Sequence, residues 1–139
     1  MAIGTYSQQY VNATATSWDN TNTSVGYQSL RGPVSAGGSA GIGNTAIGRD
    51  ALFNYTSGSN NIAIGLSALY NNTTGTYNTA IGLGALSSNT TGSNATAVGY
   101  NAMYYANNTA TAFTNYNVAL GFEALRGSIT ASANTGNYN

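Results

Sequence analysis

The sequence predicts an all-β chain, a parallel β-roll or β-solenoid of about seven coils, and three observations carry that reading. A tripeptide of the Ala-Ile-Gly type recurs along the whole length, the intervals between its glycines take only two values, and several other residue columns keep register with it. Self-similarity at a fixed period marks stacked repeats, in which each unit completes its core against its neighbours. The 139 residues are therefore read as one repeat domain, 1–139.

The coils are marked by Gly4, Gly26, Gly48, Gly65, Gly82, Gly99 and Gly121, at intervals of 22, 22, 17, 17, 17 and 22 residues. Immediately before each Gly stands an aliphatic residue: Ile3, Val25, Ile47, Ile64, Ile81, Val98 and Leu120. Before that comes Ala, or Ser at Ser24. Four residues after the Gly lies a second aliphatic column, Leu30, Leu52, Leu69, Leu86, Met103 and Leu125, each preceded by Ala or Ser. Four residues before the Gly stands Asn22, Asn44, Asn61, Asn78 or Asn117, with Ala95 as the exception. Gly58, Gly75 and Gly92 mark a turn in the short units, and Gly41 and Gly136 mark it in two long ones. The extra five residues of a long unit thus fall between the Leu column and the turn Gly, as a loop insertion. The first unit is the least regular, with Ser7-Gln8 where the others have Ala-Leu or a close relative.

Each unit contains a β-prone stretch such as Asn44-Thr45-Ala46-Ile47, then Gly, then a second stretch, so two strand segments per coil are expected. Seventeen residues are too few for two packed helices, and Gly, Asn and Thr are poor helix formers. Parallel coils stack about 4.8 Å apart, giving roughly 30–35 Å for seven. Equivalent residues then lie above one another, and stacked Asn side chains can satisfy each other's amides. The Ile column is assigned to the core, with a surface contact stripe as the alternative. The Ala column marks tight packing between layers or between chains.

Composition excludes several functions. There are three acidic residues (Asp19, Asp50, Glu123), three basic ones (Arg31, Arg49, Arg126), and no Lys, His or Cys. Phosphate neutralisation needs clustered cations, so no nucleic-acid partner is expected. The three carboxylates lie in different units, Asp50 beside Arg49 as a surface pair, so no enzyme, cofactor or metal site is expected. Gly41-Ile42-Gly43-Asn44-Thr45-Ala46 matches a dinucleotide fingerprint by letter, but no strand-to-helix context surrounds it. No run of about 18 apolar residues suggests a membrane span, and no signal-peptide pattern opens the chain. Of eight Asn-x-Ser/Thr sequons, Asn54, Asn71, Asn72, Asn89 and Asn107 cluster after the Leu column, in the stretch expected to project as a loop, and are the candidate glycosylation sites.

Two stretches carry a family resemblance: Asn78-Thr79-Ala80-Ile81-Gly82-Leu83-Gly84-Ala85-Leu86 and Asn89-Thr90-Thr91-Gly92-Ser93-Asn94. They resemble the head repeats of trimeric autotransporter adhesins and related repeats of phage tail fibres and bacterial surface fibres. The resemblance extends over nearly the whole chain, weakly in 5–22. It implies a left-handed parallel roll with three chains around one axis. It also implies an extracellular, cell-surface or virion location, with cell-surface glycans as a candidate partner. The units here, at 17 and 22 residues, are longer than the commonest adhesin head repeat, and no neck, stalk or anchor is recognised.

The register also continues across the termini. The 139 residues less the 117 between Gly4 and Gly121 leave 22, a unit length already in use. Two expectations compete: a piece cut at a repeat boundary, or a subunit that stacks end to end as a filament. The leading functional expectation is a non-enzymatic fibre subunit with adhesive loops and tyrosine surfaces such as Tyr104, Tyr105 and Tyr116. An ice-binding solenoid, suggested by Thr23, Thr45, Thr79 and Thr96 and interrupted at Ile62 and Val118, is the alternative from another class, and a carbohydrate-active enzyme is a third.

Overall fold

A computed structural model of the chain describes residues 1–10, 21–33, 41–106 and 114–127. The inserted loop residues of the long units fall outside these spans. Seven short strands form one parallel sheet in chain order: β1 (Ala2–Ile3), β2 (Thr23–Val25), β3 (Thr45–Ile47), β4 (Ile62–Ile64), β5 (Thr79–Ile81), β6 (Thr96–Val98) and β7 (Val118–Leu120). No helix occurs among the described residues. The fold is the expected all-β parallel roll.

The register is the one read from the glycine intervals. Thr45 faces Ile62, Ala46 faces Ala63 and Ile47 faces Ile64, and the pattern repeats from rung to rung. Each inner strand bonds to both neighbours. In β3 the Thr45 N–H donates to the Asn61 carbonyl at 2.8 Å, and the N–H of the following Gly48 donates to the Val25 carbonyl at 2.8 Å. Because 17- and 22-residue units preserve this pairing, the five extra residues leave the stack undisturbed.

Each coil contributes one strand to this sheet, where the sequence suggested two segments. After the Gly the backbone curls, with positive φ at alternate residues: Asp50 and Leu52 at 57° and 50°, Ser67 and Leu69 at 55° and 51°. Strands need φ near −120°, so this segment cannot be one. It nevertheless continues the inter-coil bonding, as Leu52, Leu69 and Leu86 donate to Ala68, Ala85 and Ala102, each at 3.0 Å. A left-handed residue with a side chain costs roughly 1–2 kcal/mol. Full burial of a Leu side chain contributes roughly 1.5–3 kcal/mol. At Leu30, Leu52, Leu69 and Leu86, all fully buried, burial outweighs the strain.

The core is narrow. Ala46, Ala63, Ala80 and Ala97 point inward from the strands and meet the Leu column and its preceding Ala51, Ala68, Ala85 and Ala102, all without solvent exposure. In the irregular first units hydroxyls replace methyls, and they pair: Ser7 and Ser24 oxygens lie 2.5 Å apart, and the Ser29 hydroxyl donates to the Gly26 carbonyl at 3.1 Å. Gly65 shows why the marker residue is Gly. Its φ is 128°, and a Cβ would stand 2.6 Å from the Gly82 carbonyl oxygen of the next coil.

Buried Asn side chains clamp the coils. The Asn44 oxygen accepts from the Asn61 N–H at 2.9 Å, and its amide nitrogen donates to the Gly58 carbonyl at 2.9 Å. Asn61 repeats this with Asn78 N–H at 3.0 Å and the Gly75 carbonyl at 2.9 Å. The ladder expected from the sequence exists, but it runs mainly from carboxamide to the backbone of the next coil. A direct amide contact, Asn61 Nδ2 to Asn44 Oδ1 at 3.1 Å, supplements it.

Candidate assembly surface on the outward sheet face

In a strand, successive side chains point to opposite faces. With the Ala column inside, both its neighbours point outward. The Ile column is therefore not the core, and that expectation is corrected. Ile47 is 39% exposed, Ile81 37% and Leu120 77%, while Ile3 is exposed and Val25, Ile64 and Val98 are half-buried. The physical reason is width: the interior between strand and curl takes Ala opposite Leu, and the seam is closed without Ile. Small residues hold the position before Ile in every unit, but that pattern does not by itself say which of the two faces is inward. The column is a surface stripe. The Leu column is core as expected, except Leu125, which is exposed at the last described coil.

Two further columns widen the stripe. On the strand's other outward position stand Thr23, Thr45, Ile62, Thr79, Thr96 and Val118. Directly after the Gly stand Tyr27, Arg49, Leu66, Leu83, Tyr100 and Phe122. Their neighbours stack along the column: Tyr100 and Phe122 rings lie 5.1 Å apart at 9°, and the Arg49 guanidinium lies 5.8 Å from the Tyr27 ring centre. These three columns hold eleven of the seventeen exposed large apolar and aromatic residues among those described. Contiguous exposed apolar surface of this kind marks an interaction site, whereas scattered single residues do not.

The candidate glycosylation sites separate. Asn72 and Asn89 are fully buried, and their amides donate to the Gly75 and Gly92 carbonyls at 3.0 and 2.9 Å. An acceptor nitrogen held inside the roll has no room for a glycan, so those two assignments are corrected. Their spacing after the Leu column matched a loop because a tight buried turn uses the same residue types. Asn54 and Asn71 are half-buried and joined to each other, Nδ2 to Oδ1, at 3.0 Å. Asn107 lies outside the described residues, as does Asp19.

Among the described charged residues Arg49 is well exposed, whereas the Asp50 side chain is largely buried beside it. Arg49 pairs with Asp50 at 3.1 Å and Arg126 with Glu123 at 3.4 Å. The fingerprint-like Gly41–Ala46 segment runs from a turn into β3. Among the described residues no three metal-ligating side chains come together, and no helix is long and apolar enough to cross a membrane. Tyr104 and Tyr105 form an edge-on pair at 4.7 Å, and Tyr116 is exposed.

Comparison with protein-family models, with curated proteins and with solved structures returns no match.

Proposed function

We propose that the chain is a non-enzymatic structural subunit of an extracellular or virion fibre, and that it self-associates as a homotrimer through the outward sheet face. One observation carries this: the Ile column, with its Thr/Ile and post-Gly neighbours, lies on the outward face of the sheet, exposed or half-buried, while the Ala and Leu columns fill the core without it. Burying such a face contributes about 25 cal/mol per Å2 of apolar surface. Three parallel sheets around one axis would each bury the same stripe, and in-register coils would bring equivalent rows to the same height. The resemblance to trimeric adhesin heads supports the threefold count.

Sedimentation equilibrium tests this. The expected mass is three times 14.1 kDa. The double variant Ile47→Asp/Ile81→Asp, at two exposed stripe positions, is expected to sediment as a monomer with its β circular dichroism retained. A wild-type chain that stays monomeric at high concentration overturns the assembly. Electron microscopy of the same sample reads whether copies also join end to end.

A second reading has one observation in its favour. Thr23, Thr45, Thr79 and Thr96 share the outward face with the aliphatic column, as a repeating row of hydroxyls suited to ordered water. Ile62 and Val118 interrupt it. Thermal hysteresis from a monomeric chain would favour this ice-binding reading over the trimer.

A further inference from the structure

From Arg31 to Arg126 the outer column that follows the Leu residues forms a ladder of rings and guanidinium groups with one rung missing. Arg31 lies 5.0 Å from the ring centres of both Tyr10 and Phe53. Phe53 and Tyr70 stack at 5.0 Å with their planes 1° apart. The next residue in the column is Ser87, and the one after it Tyr104. Where a ring would continue the stack there is an open cleft of about 350 Å3.

The cleft is built by small residues. Besides Ser87, the chain places Gly84 at its wall, with φ 67°, where a Cβ would come within 3.1 Å of Tyr104 ring carbons Cδ2 and Cε2. Tyr70, stacked on Phe53 on one side, lines the cleft on the other, and Tyr104 faces it across the gap. Ser87 is only 5% exposed, and its hydroxyl has no hydrogen-bond partner among the described residues. Asn71, also in the lining, uses its Oδ1 to accept from Asn54 and keeps its amide donors unpaired. A hydroxyl with no protein partner that opens onto the cleft is left to bond a ligand there.

The geometry points to a binding site for a neutral saccharide in this cleft, one sugar ring occupying the vacant rung. The residue types define the ligand. No lining residue is charged, so neither an anionic nor a cationic group is selected. The aromatic wall takes a flat apolar face, such as the C–H face of a pyranose, as the Tyr70 ring already takes Phe53. Ser87, Ser67 and Asn71 offer neutral hydrogen-bonding groups for hydroxyls around that face. A pocket lined mainly by apolar groups with a few convergent polar ones is the general form of a small-molecule site, and about 300 Å3 is the lower end of the usual range. Tyr104, expected from the sequence to lie on an adhesive surface, is part of it. Leu66 and Leu83, members of the outward stripe, form its lip, so the cleft shares that edge with the proposed assembly face.

A glycan array of neutral and acidic saccharides, followed by saturation-transfer NMR with the best neutral hit, tests the site. Wild-type chain is expected to bind a neutral saccharide with transfer from tyrosine protons. Ser87→Tyr, which restores the ring found elsewhere in this column, is expected to weaken binding by about tenfold or more with the melting temperature maintained. Tyr70→Ala, which removes the platform, should give a similar loss. Binding that survives Ser87→Tyr overturns the proposal, as does binding confined to acidic saccharides, no neutral binding at all, or displacement of the hit by a proline-rich peptide. Sedimentation of the same samples separates this outcome from that of the trimer.

Discussion

At the residue scale, the Asn clamp explains why one column tolerates an exception. Ala95 has no carboxamide to offer the next coil, whereas Asn78 accepts from the Ala95 N–H at 3.0 Å one rung earlier. The next coil supplies its own substitute: Asn115 Oδ1 accepts from the Asn117 N–H at 2.9 Å. Asn115→Ala is therefore expected to destabilise the chain by about 1–3 kcal/mol, since a buried N–H loses its acceptor. Adding Ala95→Asn should recover much of that loss by restoring the clamp used elsewhere. Denaturant unfolding of the single and double variants checks it, and a double variant no more stable than Asn115→Ala would refute the equivalence. The asparagine column itself was legible in the sequence. The role of Asn115 was not, because it sits two residues out of register, and only folding brings its oxygen to the vacant N–H.

At the element scale, each strand is followed by a glycine with positive φ, and at every one but Gly121 the next coil also approaches closely. The two can be separated. Gly65 and Gly121 have nearly the same φ, 128° and 125°, but a Cβ on Gly65 meets the Gly82 carbonyl at 2.6 Å, while nothing lies within 4 Å of one on Gly121. Gly121→Ala is expected to cost about 1–3 kcal/mol from backbone strain. Gly65→Ala should cost more, roughly 3–5 kcal/mol, because crowding is added to the same strain. Thermal melts of the two variants measure the difference, and equal losses would assign the requirement to φ alone. The glycine spacing was readable from the sequence. The curl that follows it was mistaken for a strand, since residues such as Leu52 and Leu69 are not types that normally adopt positive φ.

At the scale of the whole molecule, the chain behaves as a one-dimensional stack in which each coil touches only its neighbours. Removing one complete unit should therefore leave the rest intact. Deletion of residues 66–82 joins Gly65 to Leu83 and restores the register column by column. The shortened chain is expected to unfold in one transition, with its denaturant slope reduced by about one-eighth, in proportion to 17 of 139 residues. Loss of the cooperative transition would show that the coils are not interchangeable. The same deletion puts Phe53 in place of Tyr70 beside Ser87, and Arg49 and Asp50 in place of Leu66 and Ser67, so it re-lines one wall of the proposed cleft with charged groups.

By itself the sequence determined the number of coils, their in-register parallel stacking, the buried Leu column and the need for glycine at every strand end. These follow from spacing alone, because identical columns must superpose when units of 17 and 22 residues share one ladder. Tertiary structure alone decided which face of the strand looks inward. The two-residue period of a strand says that Ala and Ile point opposite ways, but not which way is in. The width left beside the Leu column decides that: it holds a methyl group, and so the isoleucines are turned out to the surface, where another chain can cover them.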